Sequence, residues 1–326
     1  MQYSPCLAGG KERWTTNAAN EFCVVWAITS YFNPARFRGR LPNYRIFRAN
    51  LGVPLVAVEL SFDGRFELEE GDADILVQIS GGAALWQKER LLNLALKSVP
   101  PAENHIAWVD CDVIFERRDW MHEAGKQLSE FNVVQLLSHQ VDLNPEDHHT
   151  NFEYRHTPSS GQGIVSMVTE TKAEVLPTPG RNRRSFAWGL AWAARREILQ
   201  GHGLYDAMVV GGGTRALVSA MYGEFDRITE AFQLTPARQE HYLRWARPFH
   251  KAVNGRISHV PGRLYHLWHG KLENRNYAGR YQGLVDFDFE PTDIAIGSNG
   301  AWHWARSKPD LEKYLMNHFV NRAEDG

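Results

Sequence analysis

Hydrophobic residues in this chain fall into short runs separated by segments of helical periodicity. Phe22 to Thr29 is an apolar run rich in Val and Ile that reads as a buried strand, and the polar residues 1–21 before it read as a loose arm. Ser30 to Pro34 breaks the run. Pro34 to Asn50 sets Phe37, Leu41, Tyr44, Ile46 and Phe47 at roughly helical spacing, and Val53 to Leu60 forms a second strand. After an acidic loop (Glu67, Glu69, Glu70, Asp72, Asp74) comes a third apolar run, Ile75 to Ile79. Gly81-Gly82 is expected to open a helix reaching about Lys97, with Leu85, Trp86, Leu91, Leu92 and Leu96 on its apolar face. Pro100-Pro101 stops it, and His105 to Val109 is a fourth strand. Strands alternating with helices predict βαβ units and a largely parallel sheet, an α/β fold.

The second half is less regular. Asp119 to Phe131 reads as a helix and Val133 to Leu137 as a strand, whereas Ser138 to Ser185 is a long polar stretch with few periodic segments. A stretch of that length in a compact domain is usually functional. Ala187 to Ala194 reads as a strand running into a helix through about Leu199, with Gly201 and Gly203 as stop signals. Further helices are expected after Gly211-Gly212-Gly213, over Pro236 to Val253, and over Asp310 to Val320. The last is amphipathic and suits either a cover for the sheet or an oligomer contact.

Composition narrows the class. With 326 residues, 43% hydrophobic and 23% charged, the chain can bury a full core, which excludes disorder for most of it. Its 36 Lys+Arg against 38 Asp+Glu give a net charge of -2, so there is no global pull toward nucleic acid or membrane, and Arg181, Arg183 and Arg184 form the one local basic cluster in view. Cys6, Cys23 and Cys111 are too few and scattered for a disulfide framework, no leader-like apolar segment opens the chain, and no run is long enough to span a bilayer; a cytoplasmic protein is expected. Eleven Trp suit stacking surfaces or a large core.

The sharpest chemical feature is Trp108-Val109-Asp110-Cys111-Asp112-Val113-Ile114-Phe115, two carboxylates one residue apart at the end of an apolar strand. Ligands of open parallel sheets bind at the carboxyl ends of strands, and Mg²⁺ or Mn²⁺ takes one or two protein carboxylates plus substrate phosphates. His266 and His269 are three apart; on a helix they would share a face and could hold one ion, or one of them could be a hydrogen-bonded core histidine. His269 is the better ligand candidate, because Gly270 beside it permits close backbone approach. Asp147-His148-His149 is a rival cluster without apolar anchoring. Gly211-Gly212-Gly213 lacks the Lys-Ser/Thr of a phosphate loop.

In their order along the chain, these segments resemble the nucleotide-sugar glycosyltransferases of the GT-A fold, family-2-like, whose Asp-x-Asp signature holds a cation on the donor diphosphate. The resemblance runs from about Val24 to Arg280, over the opening strand to Tyr31, Trp86 to Asn93, Phe186 to Glu197 with Gly203-Leu204-Tyr205-Asp206, and His266 to Gly270 with Arg275, Tyr277 and Arg280. It implies a single GT-A-like domain over residues 1–326: a donor half at 22–116, an acceptor half with a closing loop at 117–285, and a tail at 286–326. It further implies donor contacts from Thr29, Ser30, Tyr31, Lys88, Arg90, Asn93, Asp110, Arg275, Tyr277 and Arg280. Asp110, Asp112, His266 and His269 would hold Mn²⁺ or Mg²⁺, and Trp188, Gly189, Gly212 and Gly213 would face the acceptor. The expected partners are a nucleoside-diphosphate sugar, a UDP-sugar first, and an unspecified glycan, small molecule, protein or modified nucleobase. Inverting members of the family often carry an acidic base after the glycine-rich turn, but this chain has Thr214 there. Asp206, Glu224 and Asp226 are the candidate substitutes, unless the mechanism is retaining. A non-catalytic nucleotide- or glycan-binding module is the alternative, and a metal-dependent phosphohydrolase a third.

Overall fold

A computed structural model of the protein describes residues 25–147, 159–173, 176, 186–277 and 279–326. The chain starts with β1 (Val25–Phe32), α1 (Arg40–Leu51), β2 (Leu55–Ser61), β3 (Ile75–Ser80), α2 (Lys88–Ser98), β4 (His105–Val109) and β5 (Val113–Phe115). It continues through α3 (Trp120–Glu130), β6 (Val133–Gln135), β7 (His139–Asp142), β8 (Ser159–Gly163), α4 (Ile164–Thr171), β9 (Phe186–Ala187), β10 (Ala191–Arg195) and α5 (Arg196–His202). The remainder holds α6 (Gly213–Met221), α7 (Phe225–Ala231), α8 (Pro236–Val253), β11 (Ile257–His259), β12 (Arg263–His266), α9 (Gln282–Asp286), β13 (Ile294–Ile296), β14 (Trp302–Trp304) and α10 (Pro309–Val320).

The expected α/β class is the observed one. A seven-stranded sheet runs in the order β3-β2-β1-β4-β10-β6-β11, and only β10 is antiparallel to its neighbours. Alternation along the strands builds two cores. Ile28, Val56, Val58, Ile106, Trp108 and Trp192 pack on the face covered by α2, α6, α8 and α10. Ala27, Leu55, Ala57, Ala107 and Ala193 pack on the other, under Tyr44 and Phe47 of α1 and Trp120 and Leu128 of α3. Each strand buried on both sides reads as a continuous apolar run, which is why the strands were visible in the sequence. A second sheet, β5-β12-β7-β8-β9, stands at the end of the first, and a small β13-β14 ribbon packs against the segment that leads into α2. No described helix is long and apolar enough to cross a membrane.

Three expectations are corrected. The helix proposed to open at Gly81-Gly82 starts at Lys88, because the intervening backbone is taken up by β14: Ala83 donates to the Trp302 carbonyl at 2.8 Å and the Gln87 side chain accepts from the Trp302 amide at 2.7 Å. The strand proposed over Ala187 to Ala194 is two, β9 and β10, separated at Trp188-Gly189-Leu190, where Leu190 has φ 78°. The stretch from Ser138 to Ser185 is not structureless; it contains β7, β8 and α4. The proposed arm at 1–21, the start of the first strand, His148, His149 and the arginines 181, 183 and 184 lie outside the described residues.

Candidate active site

The link from β4 to β5 is where the two sheets meet, and it carries Asp110-Cys111-Asp112. Its backbone is clamped on both sides: the Asp110 amide donates to the Leu190 carbonyl at 2.7 Å, and the Leu267 amide donates to the Asp112 carbonyl at 2.8 Å. In the second sheet, the register pairs His266 with Val113 on one side and with Asp142 on the other. The topology therefore delivers Asp112, His266 and Asp142 to one place. The place is the carboxyl end of β1 and β4, where the strand order reverses and ligands of open sheets bind.

Asp112, His266 and His269 have ligand atoms within 4.8 Å of one another. His269 Nε2 lies 3.4 Å from Asp112 Oδ2 and 2.9 Å from His266 Nε2, and His266 Nε2 is 3.7 Å from Asp112 Oδ1. That buried Oδ1 has no hydrogen-bond partner among the described residues. An orphaned carboxylate oxygen facing two imidazole nitrogens is a donor set that suits a divalent transition ion, so the residues fit the metal that the sequence implies. Outer partners orient the two imidazoles: Asp142 Oδ1 is 2.9 Å from His266 Nδ1, and Glu324 Oε1 is 3.7 Å from His269 Nδ1. The two histidines lie on β12 and the loop after it rather than on a helix. Asp110 stands outside this trio and pairs instead with Lys88.

Electrostatics divide the group. Burial disfavours charge on Asp112, yet the two imidazoles overcome it and hold the carboxyl well below its usual range. Burial likewise opposes protonation of His266, but Asp112 and Asp142 push it up to about 10. His269 is pushed down to about 4 by burial and by the Arg275 guanidinium. Burial also opposes the Lys88 ammonium, and Asp110 more than restores it.

These groups border a cleft of about 600 Å³. Arg40, Lys88, Arg275, Arg280 and Arg322 line it with cationic groups. Arg275 and Arg280 are 8% and 6% exposed, and the Nε of each is buried without a hydrogen-bond partner among the described residues. Arg280 lies over the rings of Tyr277 and Tyr281, 5.0 Å from each centroid. Trp188, Gly189, Gly212, Gly213 and Thr214 also line the cleft, with Arg215 5.4 Å over the Trp188 ring.

Ser30, Lys88, Asp110, Arg275, Tyr277 and Arg280 thus share this cleft, as do the four residues proposed for the acceptor side. The other proposed residues do not face it. Of three consecutive residues on β1, the two-residue period sends only Ser30 into the cleft; the Thr29 hydroxyl donates to the Val109 carbonyl at 2.7 Å, and the Tyr31 hydroxyl donates to Glu67 at 2.5 Å. Arg90 and Asn93 sit three apart on α2, on its far face. Arg90 donates to the Gly300 carbonyl at 2.6 Å and to Asp206 at 3.1 Å, and Asn93 to Asp206 at 3.2 Å. Asp206 is thus a half-buried counterion to Arg90 and does not line the cleft. Glu224 is paired with Arg227 at 2.5 Å and accepts from the Leu176 amide, and Asp226 is exposed in the first turn of α7.

Sequence reasoning missed several cleft residues. Glu89, between Lys88 and Arg90 in a charged run, is 6% exposed and borders the cleft. Arg40 and Arg322 both hold Glu324, at 2.6 and 2.5 Å, and burial of that carboxyl is more than offset by these cations, which keep it far below its usual range. Nothing local marks the chain end as part of the site; Asp142 gave a weak signal as an acid on an alternating segment.

No protein-family model matches the chain, and no curated protein sequence matches it either. Among solved structures, it is similar to S. aureus TarS 1–349 in complex with UDP-GlcNAc, at 9% identity and a TM-score of 0.42 over 91% of this chain and 72% of that one. It is similar also to S. aureus TarS at 11% identity and a TM-score of 0.40, covering 92% of this chain but 43% of that one. A 4-diphosphocytidyl-2C-methyl-D-erythritol synthase from Anaerococcus prevotii aligns at 12% identity and 0.33, over 76% of this chain and 90% of that one. At these scores, function has to be argued from the site's own residues.

Proposed function

We propose that the protein is a divalent-metal-dependent glycosyltransferase that moves a sugar from a nucleoside-diphosphate sugar to a hydroxyl acceptor. The observation that carries the reading is the pairing, in one cleft, of the Asp112, His266 and His269 trio with two buried arginines whose Nε atoms have no partner. Two unpaired guanidinium donors call for an anion with several acceptor oxygens, and a diphosphate supplies them. Asp112, His266 and His269 would hold Mn²⁺ or Mg²⁺, which neutralises charge on a departing diphosphate when bound. Arg275 and Arg280 are preorganised to stabilise the same charge, since burial, the Tyr277 hydroxyl that accepts from Arg275 and the tyrosine rings beside Arg280 already fix their orientation. Lys88 pairs with Asp110 at the cleft, and Trp188 with the glycine-rich turn lines space for an acceptor. A UDP-sugar is the first donor to test. Thr214 after the glycines is the feature that favours a second reading, a binding module without catalysis.

Calorimetry with UDP, GDP, CDP and dTDP, with and without Mn²⁺, tests the proposal. One diphosphate is expected to bind in a Mn²⁺-dependent manner, and Asp112→Ala is expected to weaken it by more than the roughly 10–100-fold typical of outer-sphere changes. Failure of all four to bind, with metal present, would remove the donor site.

A further inference from the structure

The glycine-rich turn before α6 is shaped around a carboxyl that comes from another helix. Glu89, in the first turn of α2, lies against Gly213 at the start of α6, so that a methyl built on Gly213 would overlap the Glu89 carboxyl. A side chain at Gly212 is equally blocked, by Tyr281 and Phe232, and Gly212 has φ 100°, a left-handed conformation that favours glycine. The three glycines therefore do not cradle a phosphate; two of them leave the space that the carboxyl and the aromatic wall occupy.

We propose that Glu89 is the general base of this site, taking the proton of the acceptor hydroxyl at the position where the turn itself offers only Thr214. The inference rests on the glycosyltransferase reading and supplies the one role that reading left open. Glu89 borders the same cleft as Asp112, His266 and Arg280, beside Trp188 and Thr214. None of the ion pairs among the described residues neutralises it, since its neighbour Lys88 is engaged by Asp110. The other acids fit less well. Asp110 is tied to Lys88, Asp142 to His266, and Glu273 is exposed on the rim. Asp206, Glu224 and Asp226 do not reach the cleft. Burial, with Asp110 and Asp206 adding and Lys88 opposing, pushes the Glu89 carboxyl up to about 7, the range in which a base is half available and still strong.

In the step proposed, the acceptor O–H proton goes to a Glu89 oxygen while the acceptor oxygen bonds to the anomeric carbon. The bond from that carbon to the diphosphate oxygen breaks, and its electron pair leaves with the nucleoside diphosphate. Water serves as acceptor in the same way, giving free sugar.

The test is the rate of nucleoside diphosphate release from UDP-, GDP-, CDP- and dTDP-sugars with Mn²⁺ and water as acceptor, alongside calorimetry of the matching diphosphate. Glu89→Gln is expected to lower kcat by about 10²–10⁴-fold with diphosphate affinity within about threefold of wild type. Gly213→Ala, which displaces the carboxyl without removing it, should show the same split, while Glu273→Gln should lose less than about threefold; circular dichroism checks that each variant is folded. Unchanged release in folded Glu89→Gln would overturn the base and leave the donor site standing. Diphosphate binding without any release by wild type would also overturn the base and favour the binding module. Absence of both binding and release would overturn the glycosyltransferase reading and this inference together.

Discussion

Two carboxyls, Glu89 and Asp112, share one cleft yet are pushed in opposite directions by what surrounds them. Asp112 faces imidazoles and stays ionised, as its proposed role toward a cation requires, whereas Glu89 is desolvated against backbone. The Glu89 shift has a consequence for stability. A carboxyl raised from 4.5 to about 7 contributes stability that is fully present below about pH 4.5 and lost as pH rises through 7. Glu89→Gln abolishes that loss, so the variant is expected to match wild type near pH 4.5 and to exceed it by roughly 2–3 kcal/mol at pH 8. Urea unfolding at the two pH values checks this, and a gap of equal size at both would show that the carboxyl is well solvated. Stability given up at a single buried acid is the pattern expected where activity needs a strained group.

At the scale of elements, the cleft depends on how α2, α6 and α10 dock. The amphipathic segment near the chain end could have covered the sheet or met a second copy; it covers the sheet. Leu311 and Leu315 of α10 are buried in the main core, and Phe319 stacks on Trp86 at 6.2 Å and meets Phe32 edge-on at 6.1 Å. Because Trp86 lines the cleft, Phe319→Ala should destabilise by about 3–4 kcal/mol and change the tryptophan emission of the folded protein, measured by denaturant titration with fluorescence. Element legibility follows the range of the forces involved. The bounds of α8 were readable at Pro236 and Val253 because Thr235 caps the helix, Pro236 fills its first turn and Asn254 ends it in a left-handed conformation, all local chemistry. The start of α2 was misread because Trp302, more than two hundred residues away, takes the hydrogen bonds that would have extended it.

At the scale of the whole molecule, the site is closed by the chain end. Arg322 stands 5.1 Å over the Trp86 ring, and Glu324 joins Arg40 to Arg322 beside His269. A side chain at Gly270 would strike the backbone of residues 322–324, so the two segments are mutually fitted. Deleting residues 322–326 should leave Arg40 without its partner and His269 without its orienting carboxylate. Mn²⁺-dependent diphosphate affinity is then expected to fall by about 10–100-fold, which calorimetry would read; unchanged affinity would make the tail dispensable. By itself, the sequence determined the α/β class, the four parallel strands of the first half and the acidic link between Val109 and Val113, because buried strands and strand-end carboxylates are written in contiguous residues. It also supplied the two histidines that the structure brings to Asp112. Tertiary structure alone decided which of Thr29, Ser30 and Tyr31 faces the cleft, that Arg90 and Asp206 pair behind it, that Glu89, Arg40 and Arg322 belong to it, and that Glu324 holds Arg40 beside it. Those assignments depend on register, helix phase and long-range packing, which bring together residues that no local pattern connects.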